Sequence, residues 1–139
     1  MTEPVTGPVT GPPFFVYGTL RPGEYNHDRF LLGRTSAEEP ARLAGALLYD
    51  GPGYPYAVPG EGCVAGDLVT AAPGAYGALL AVLDDVESGA GYERVERTVV
   101  RLRDGAAVRA WVYLAAPGTP LGPLIGGGDW RARGGPRTP

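Results

Sequence analysis

The stretch Phe14-Phe15-Val16-Tyr17-Gly18-Thr19-Leu20-Arg21-Pro22-Gly23 runs a short apolar strand into a glycine turn. Four bulky or β-branched positions, Phe14 to Tyr17, read as a buried strand. Gly18 then frees the backbone to turn and to approach a ligand closely, and Pro22-Gly23 closes the unit with a second turn signal. A small anion or a carbonyl oxygen fits such a bend. The same ten residues also read as a core strand followed by an ordinary loop, and only partners elsewhere in the chain decide between the two.

Outward from this unit, Glu24, Tyr25, Asn26 and His27 are expected in a loop, either solvated or lining a pocket. Phe30, Leu31 and Leu32 form an apolar plug that ties the loop to the core. Residues 35–40 are polar and read as a connection. Residues 42–49 read as a second strand, with Gly45 marking a bulge or a close backbone contact. The run Asp50-Gly51-Pro52-Gly53-Tyr54-Pro55-Tyr56 combines turn residues with tyrosines, which stand either at the mouth of a cavity or over a sheet edge. Residues 64–70 read as a further strand.

Residues 73–87 carry the clearest helical pattern, with Tyr76, Leu79, Leu80, Leu83 and Val86 forming one apolar stripe. The helix ends on Asp84-Asp85-Val86-Glu87 and runs into Ser88-Gly89-Ala90-Gly91. A helix C-terminus and neighbouring carboxylates both disfavour ionisation of an acid placed there. A partly buried member of the cluster then becomes able to take and return a proton, and Glu87, nearest the glycines, is best placed for it. The alternative is an ordinary solvated helix end.

Residues 92–103 and 106–115 form a hairpin about Asp104-Gly105. In the second strand Val108, Ala110, Val112 and Leu114 alternate with Arg109, Trp111 and Tyr113. The first strand changes phase between Val95/Val99 and Val100/Leu102, which predicts a bulge. Beyond residue 117, glycine and proline return, and Trp130 is expected to anchor the segment to the body.

The chain has 139 residues, a formal charge of −3, no lysine, one histidine and one cysteine. That length suits one domain that buries roughly two-thirds of its unfolded surface without metal or disulfide staples. A lone Cys63 excludes an intramolecular disulfide and a cysteine metal cluster, and a reducing compartment fits. Arginines spread along an acidic chain argue against nucleic acid as the principal partner. No apolar run spans a bilayer. Residues 1–13 lack the features of a signal peptide, so a cytoplasmic protein is expected, with residues 1–13 and 131–139 as flexible tails around a domain of residues 14–130.

Taken together, Tyr17-Gly18-Thr19-Leu20-Arg21, Gly45-Ala46-Leu47-Leu48-Tyr49, Gly53-Tyr54-Pro55, Gly66-Asp67-Leu68, Leu83-Asp84-Asp85-Val86-Glu87, Tyr92-Glu93-Arg94 and Gly128-Asp129-Trp130, in that order, resemble the γ-glutamylcyclotransferase-like family, including its γ-glutamylamine cyclotransferase and AIG2-like branch. The resemblance implies an α+β fold, a small mixed β-barrel-like sheet with flanking short helices, whose cavity opens beside the glycine turn. It implies Glu87 as catalytic acid/base and the backbone of Tyr17, Gly18, Thr19 and Leu20 as the holder of a γ-glutamyl group. Tyr92 is implied as a substrate hydrogen-bond partner, with Arg21 and Tyr54 as pocket-wall residues. Ser88 stands where the family commonly has glycine.

The implied reaction releases a free amine or amino acid and 5-oxoproline from a γ-glutamyl amide, with no metal or organic cofactor. A deprotecting γ-glutamyl enzyme of a biosynthetic pathway and a non-catalytic small-molecule binding or regulatory domain are the alternatives. The leaving amine and the oligomeric state are left open by the sequence.

Overall fold

The computed structural model describes residues 11–132. In chain order the elements are β1 (Phe14–Val16), α1 (Tyr25–Phe30), β2 (Thr35–Tyr49), β3 (Tyr56–Ala71), α2 (Tyr76–Gly89), β4 (Tyr92–Arg101), β5 (Ala107–Ala115) and a closing 3-10 turn, Trp130–Ala132. The five strands form a closed barrel in the order β1-β3-β2-β4-β5. The barrel is built from two antiparallel hairpins, β2–β3 and β4–β5, joined where Ala41 faces Arg101. β1 closes it, antiparallel to β3 (Val16 opposite Asp67) and parallel to β5 (Phe15 opposite Val112).

The unbroken apolar run of β1 follows from this position. Successive side chains of a strand point to opposite faces. Phe15 fills the barrel with Leu43, Leu48, Val64, Leu68, Val99 and Val112. Phe14 and Val16 point outward beneath α2, against Leu79, Leu80, Leu83 and Val69. Both faces of β1 are therefore buried, and no polar position is tolerated in it. Burying each such large side chain stabilises the fold by about 1.5–3 kcal/mol. β5 repeats the pattern, with Val112 and Leu114 inside and Tyr113 and Trp111 outside beneath α2.

Gly45 lies where the β2–β3 register shifts, and its φ of +80° is the left-handed backbone that glycine tolerates. Trp130 is buried in the barrel cluster, as expected of an anchor.

Several expectations are corrected. Residues 35–40 belong to β2: polar side chains on a barrel strand face solvent or pair with charges, as Glu39 does with Arg103. Residues 25–30 are a helix whose length, six residues, is too short to leave a periodic signature. The bulge expected in β4 is absent, because pairing is continuous from Tyr92 opposite Ala115 to Val100 opposite Ala107. Val100 and Leu102 simply project outward and are exposed. Of the leading segment assigned to a tail, the Pro12 carbonyl accepts a hydrogen bond from Tyr76 and the Pro13 carbonyl one from the Trp111 amide. At the other end, Arg131 lies in the 3-10 turn and pairs with Glu24. Residues 1–10 and 133–139 lie outside the described residues.

Candidate active site

Where β1 ends, the chain bends at once: the Arg21 amide donates to the Gly18 carbonyl at 3.1 Å. Two further bonds set the bend against α1. The Asn26 amide donates to the Thr19 carbonyl at 3.0 Å, and Asn26 Nδ2 donates to Thr19 Oγ1 at 2.8 Å. Among the described residues no acceptor meets the N–H groups of Thr19 and Leu20, two turn residues that line a hollow.

Gly18 is required here for a reason other than the one its turn position suggests. Its φ is not positive. A Cβ at this position would stand 2.7 Å from Pro55 Cδ, so glycine permits the turn to lie against the proline ring.

The hollow is a cavity of about 420 Å³, lined on one side by Tyr17, Gly18, Thr19 and Leu20 and on the other by Glu87, Ala90 and Tyr92. Tyr54 and Tyr113 complete the aromatic wall, and α1 contributes Asn26, Arg29 and Phe30. The chain thus brings together the glycine turn, Glu87, Tyr54 and Tyr92, although 69 positions separate Gly18 from Glu87 (87 − 18).

Burial pushes the Glu87 carboxyl from its ordinary 4.5 up to about 7. The neighbouring carboxylates invoked from the sequence are not the cause. Asp84 is paired with Arg94 Nε at 2.8 Å, and Asp85 is exposed to solvent, so neither repels Glu87 through a low-dielectric path. Nor is Glu87 the last helical residue, since α2 runs on to Gly89. No hydrogen bond or ion pair engages the Glu87 carboxyl among the described residues, which leaves it available to a ligand.

Its charge acts on four tyrosines, Tyr17, Tyr56, Tyr92 and Tyr113, and helps hold each phenol protonated, though burial is the larger cause in every case. Each phenol is also committed to the scaffold. Tyr17 donates to the Tyr113 carbonyl at 2.5 Å and accepts from the Ala57 amide at 3.0 Å. Tyr92 donates to the Pro55 carbonyl and Tyr56 to the Ala90 carbonyl. The Tyr92 hydrogen is therefore already engaged, and what the residue presents to the cavity is its oxygen lone pairs and ring. The rings of Tyr54, Tyr56 and Tyr92 pack together, with centroids 4.8–6.1 Å apart.

Arg21 does not line the cavity. Its Nε donates to Asp67 at 2.8 Å and its Nη1 to Asp129 at 3.0 Å, tying the glycine turn to β3 and to the segment before Trp130. Arg29 and Tyr113 escaped sequence reasoning. In the sequence Tyr113 reads only as an alternating strand residue, and the facing of Arg29 has no signal in a segment that reads as a loop. Among the described residues no group of three His, Cys, Asp or Glu side chains is placed to hold a metal ion, and no helix is long and apolar enough to cross a membrane.

The family model of γ-glutamyl cyclotransferase, AIG2-like proteins matches residues 14–132. The chain belongs to this family. The γ-glutamyl cyclotransferase-like barrel is also that of a crystal structure of an uncharacterized protein from Pyrococcus horikoshii, 26% identical, TM-score 0.68, covering 88% of this chain and 92% of that one. A crystal structure of an AIG2-like protein from Mus musculus is 28% identical, TM-score 0.62, covering 78% of this chain and 80% of that one. Among curated proteins, the γ-L-glutamyl-butirosin B γ-glutamyl cyclotransferase of Niallia circulans is 44% identical over 54 residues. That match covers 39% of this chain and only about a third, 34%, of the relative's length.

Proposed function

We propose that this chain is an intramolecular cyclotransferase that converts a γ-glutamyl amide into 5-oxoproline and a free amine, with Glu87 as acid and base. The observation that carries the reading is a single unpaired carboxyl, raised to about 7 by burial, in a cavity shared with a glycine turn that offers free N–H groups. Family membership supports the reaction class.

In such a substrate the α-amino nitrogen and the side-chain carbonyl belong to one molecule. Holding the folded conformer supplies a large share of the acceleration, since well-oriented intramolecular attack is worth roughly 7–11 kcal/mol. An ammonium cannot attack. Glu87 takes a proton from it, the freed lone pair closes the N–C bond of a five-membered ring, and the carbonyl oxygen becomes an oxyanion. The N–H groups of Thr19 and Leu20 are the donors for that oxyanion or for the substrate carboxylate, each worth about 3 kcal/mol if well aimed. Protonated Glu87 then gives its proton to the leaving nitrogen as the oxyanion re-forms its carbonyl and the old C–N bond breaks. The regenerated carboxylate takes the second proton from the ring nitrogen, which leaves a neutral lactam, and passes it to the departing amine, which exits as an ammonium. A carboxyl raised to about 7 stands closer to an ammonium than an ordinary carboxylate does, so both proton transfers are less steeply uphill.

No cofactor enters this scheme. A free Cys63 suits a reducing compartment, and we assign the protein to the cytoplasm on that ground. The name of the Niallia circulans relative supports a second assignment of the same chemistry, removal of a γ-glutamyl protecting group from a biosynthetic intermediate. Only the leaving amine differs.

The test is release of 5-oxoproline by purified protein from γ-glutamyl amines, γ-glutamyl dipeptides and glutathione. Glu87→Gln is expected to lower kcat by about 10²–10⁴-fold. Equal turnover by wild type and Glu87→Gln overturns the assignment of Glu87, and no product from any substrate favours a binding domain instead.

A further inference from the structure

Among the described residues the cavity has one basic side chain on its wall, Arg29 of α1. Asn26 and Arg29 lie three residues apart and so share one face of that helix, about 4.5 Å apart along its axis. Asn26 is bonded to Thr19 and belongs to the turn end of the hollow. Arg29 is exposed and stands one helical turn further on, at the rim. Its guanidinium lies 5.2 Å from the ring centroid of Phe30, which also lines the cavity, and this cation–π contact holds the charge beside the opening. Among the described residues no carboxylate pairs with it, in contrast to Arg21, Arg94, Arg101, Arg103, Arg109 and Arg131.

We propose that Arg29 selects the leaving half of the substrate, favouring an amine that carries a carboxylate, as in a γ-glutamyl amino acid, over a neutral or cationic amine. The inference rests on the cyclotransferase reading for its division of the substrate. The γ-glutamyl half must lie inward, with its α-nitrogen at Glu87 and its polar groups at the turn. The other half then points to the rim, where the remaining charge is positive. A fork of N–H donors with no internal partner accepts a carboxylate in bidentate fashion, while a polycation meets repulsion there.

The experiment compares γ-glutamylalanine with γ-glutamylethylamine, which differ by that one carboxylate. Calorimetry on the Glu87→Gln protein reads binding, and 5-oxoproline release by protein with Glu87 intact reads turnover. The expected result is a preference of roughly tenfold in Kd and in kcat/KM for γ-glutamylalanine, abolished by Arg29→Gln, partly kept by Arg29→Lys and weakened by salt. Equal affinity for the two ligands, or an Arg29→Gln change that weakens both by the same factor, overturns the proposal; the latter outcome would assign Arg29 to the γ-glutamyl carboxylate. Binding with the predicted preference but without 5-oxoproline release would sink the cyclotransferase reading and leave the charge selectivity standing. Absence of binding by either ligand overturns both.

Discussion

Tyr113 donates its phenolic hydrogen to Asp84 Oδ1 at 2.6 Å, three residues before Glu87 on α2. Arg94 Nε reaches the same oxygen at 2.8 Å. One carboxylate thus clamps the cavity end of α2 to β4 and to β5, and the direction in which Glu87 points depends on that clamp.

Tyr113→Phe removes one of the two bonds while keeping the ring in the wall. The expected loss of stability is about 1 kcal/mol, because Arg94 still satisfies Asp84. The expected kinetic signature is a several-fold fall in kcat with KM nearly constant, as for a displaced acid/base group. Urea titration and steady-state kinetics on the same preparation check it.

Glu87 links stability to pH with a definite sign. Its carboxyl is raised from 4.5 to about 7 by burial, so between those values the folded chain holds a proton that the unfolded chain has released. Stability from this residue is complete below about pH 4.5 and falls as pH rises to about 7, by roughly 3 kcal/mol in all. Glu87→Gln has no such proton to lose. It is expected to be inactive, yet more stable than wild type at pH 8 and nearly equal to it at pH 4.5. Denaturant melts at the two pH values decide the matter, and a stability difference independent of pH would refute the buried carboxyl.

The single histidine provides a second titration on a different element. Burial, the largest influence on His27, pulls its value down, but hydrogen bonds to Glu38 (2.7 Å) and Asp28 (3.2 Å) outweigh it and leave the imidazole above 6.5. Its contribution to stability is therefore full below pH 6.5 and lost as pH climbs through the raised value. The imidazole resonances are expected to titrate above 6.5 by NMR and to move down in Glu38→Gln. No movement in that variant would mean that Glu38 does not hold the ring.

Much of this arrangement was legible from residue order, and the failures have physical causes. The hairpin of β4 and β5 is marked by its Asp104-Gly105 turn, and α2 shows its stripe because it is buried on one face. β1 was readable for the opposite reason, since burial on both faces leaves four apolar residues in a row. α1 was missed because a helix of six residues makes fewer than two turns and so shows no repeated stripe, and with it went the facing of Arg29. Residues 35–40 of β2 were missed because Glu38 and Glu39 are partnered by His27 and Arg103, contacts that depend on the folded topology. Glu87 and the rise of its carboxyl on burial were legible from sequence, but the share given to neighbouring carboxylates was not met, because Asp84 is paired with Arg94.

Gly18→Ala tests the close approach of turn and proline. The added Cβ would fall 2.7 Å from Pro55 Cδ and 2.9 Å from its Cγ, and a pyrrolidine ring cannot swing aside as a flexible chain can. Pro55 also supplies the carbonyl that holds Tyr92, so any retreat of the proline moves the opposite wall. Overpacking of this kind costs about 1–3 kcal/mol. A fall of about 10–100-fold in kcat/KM is expected beside it, measured together with the change in Tm. Wild-type kinetics in this variant would show that the contact is not needed for the site.

The three-residue strand β1 has a bearing on how the protein comes into being. It lies parallel to β5, and the bond from Tyr17 to the Tyr113 carbonyl joins positions 96 residues apart. Pairings so distant in the chain form late, since a large loop must close before they give anything back. During synthesis β1 precedes the other strands; β3 is available to it midway, but β5, its parallel neighbour, comes only when nearly the whole domain has followed. The glycine turn is the continuation of that strand, so the cradle is assembled in the same step that seals the barrel. Competence to bind therefore arrives all at once, and a chain cut short before β5 possesses none of it.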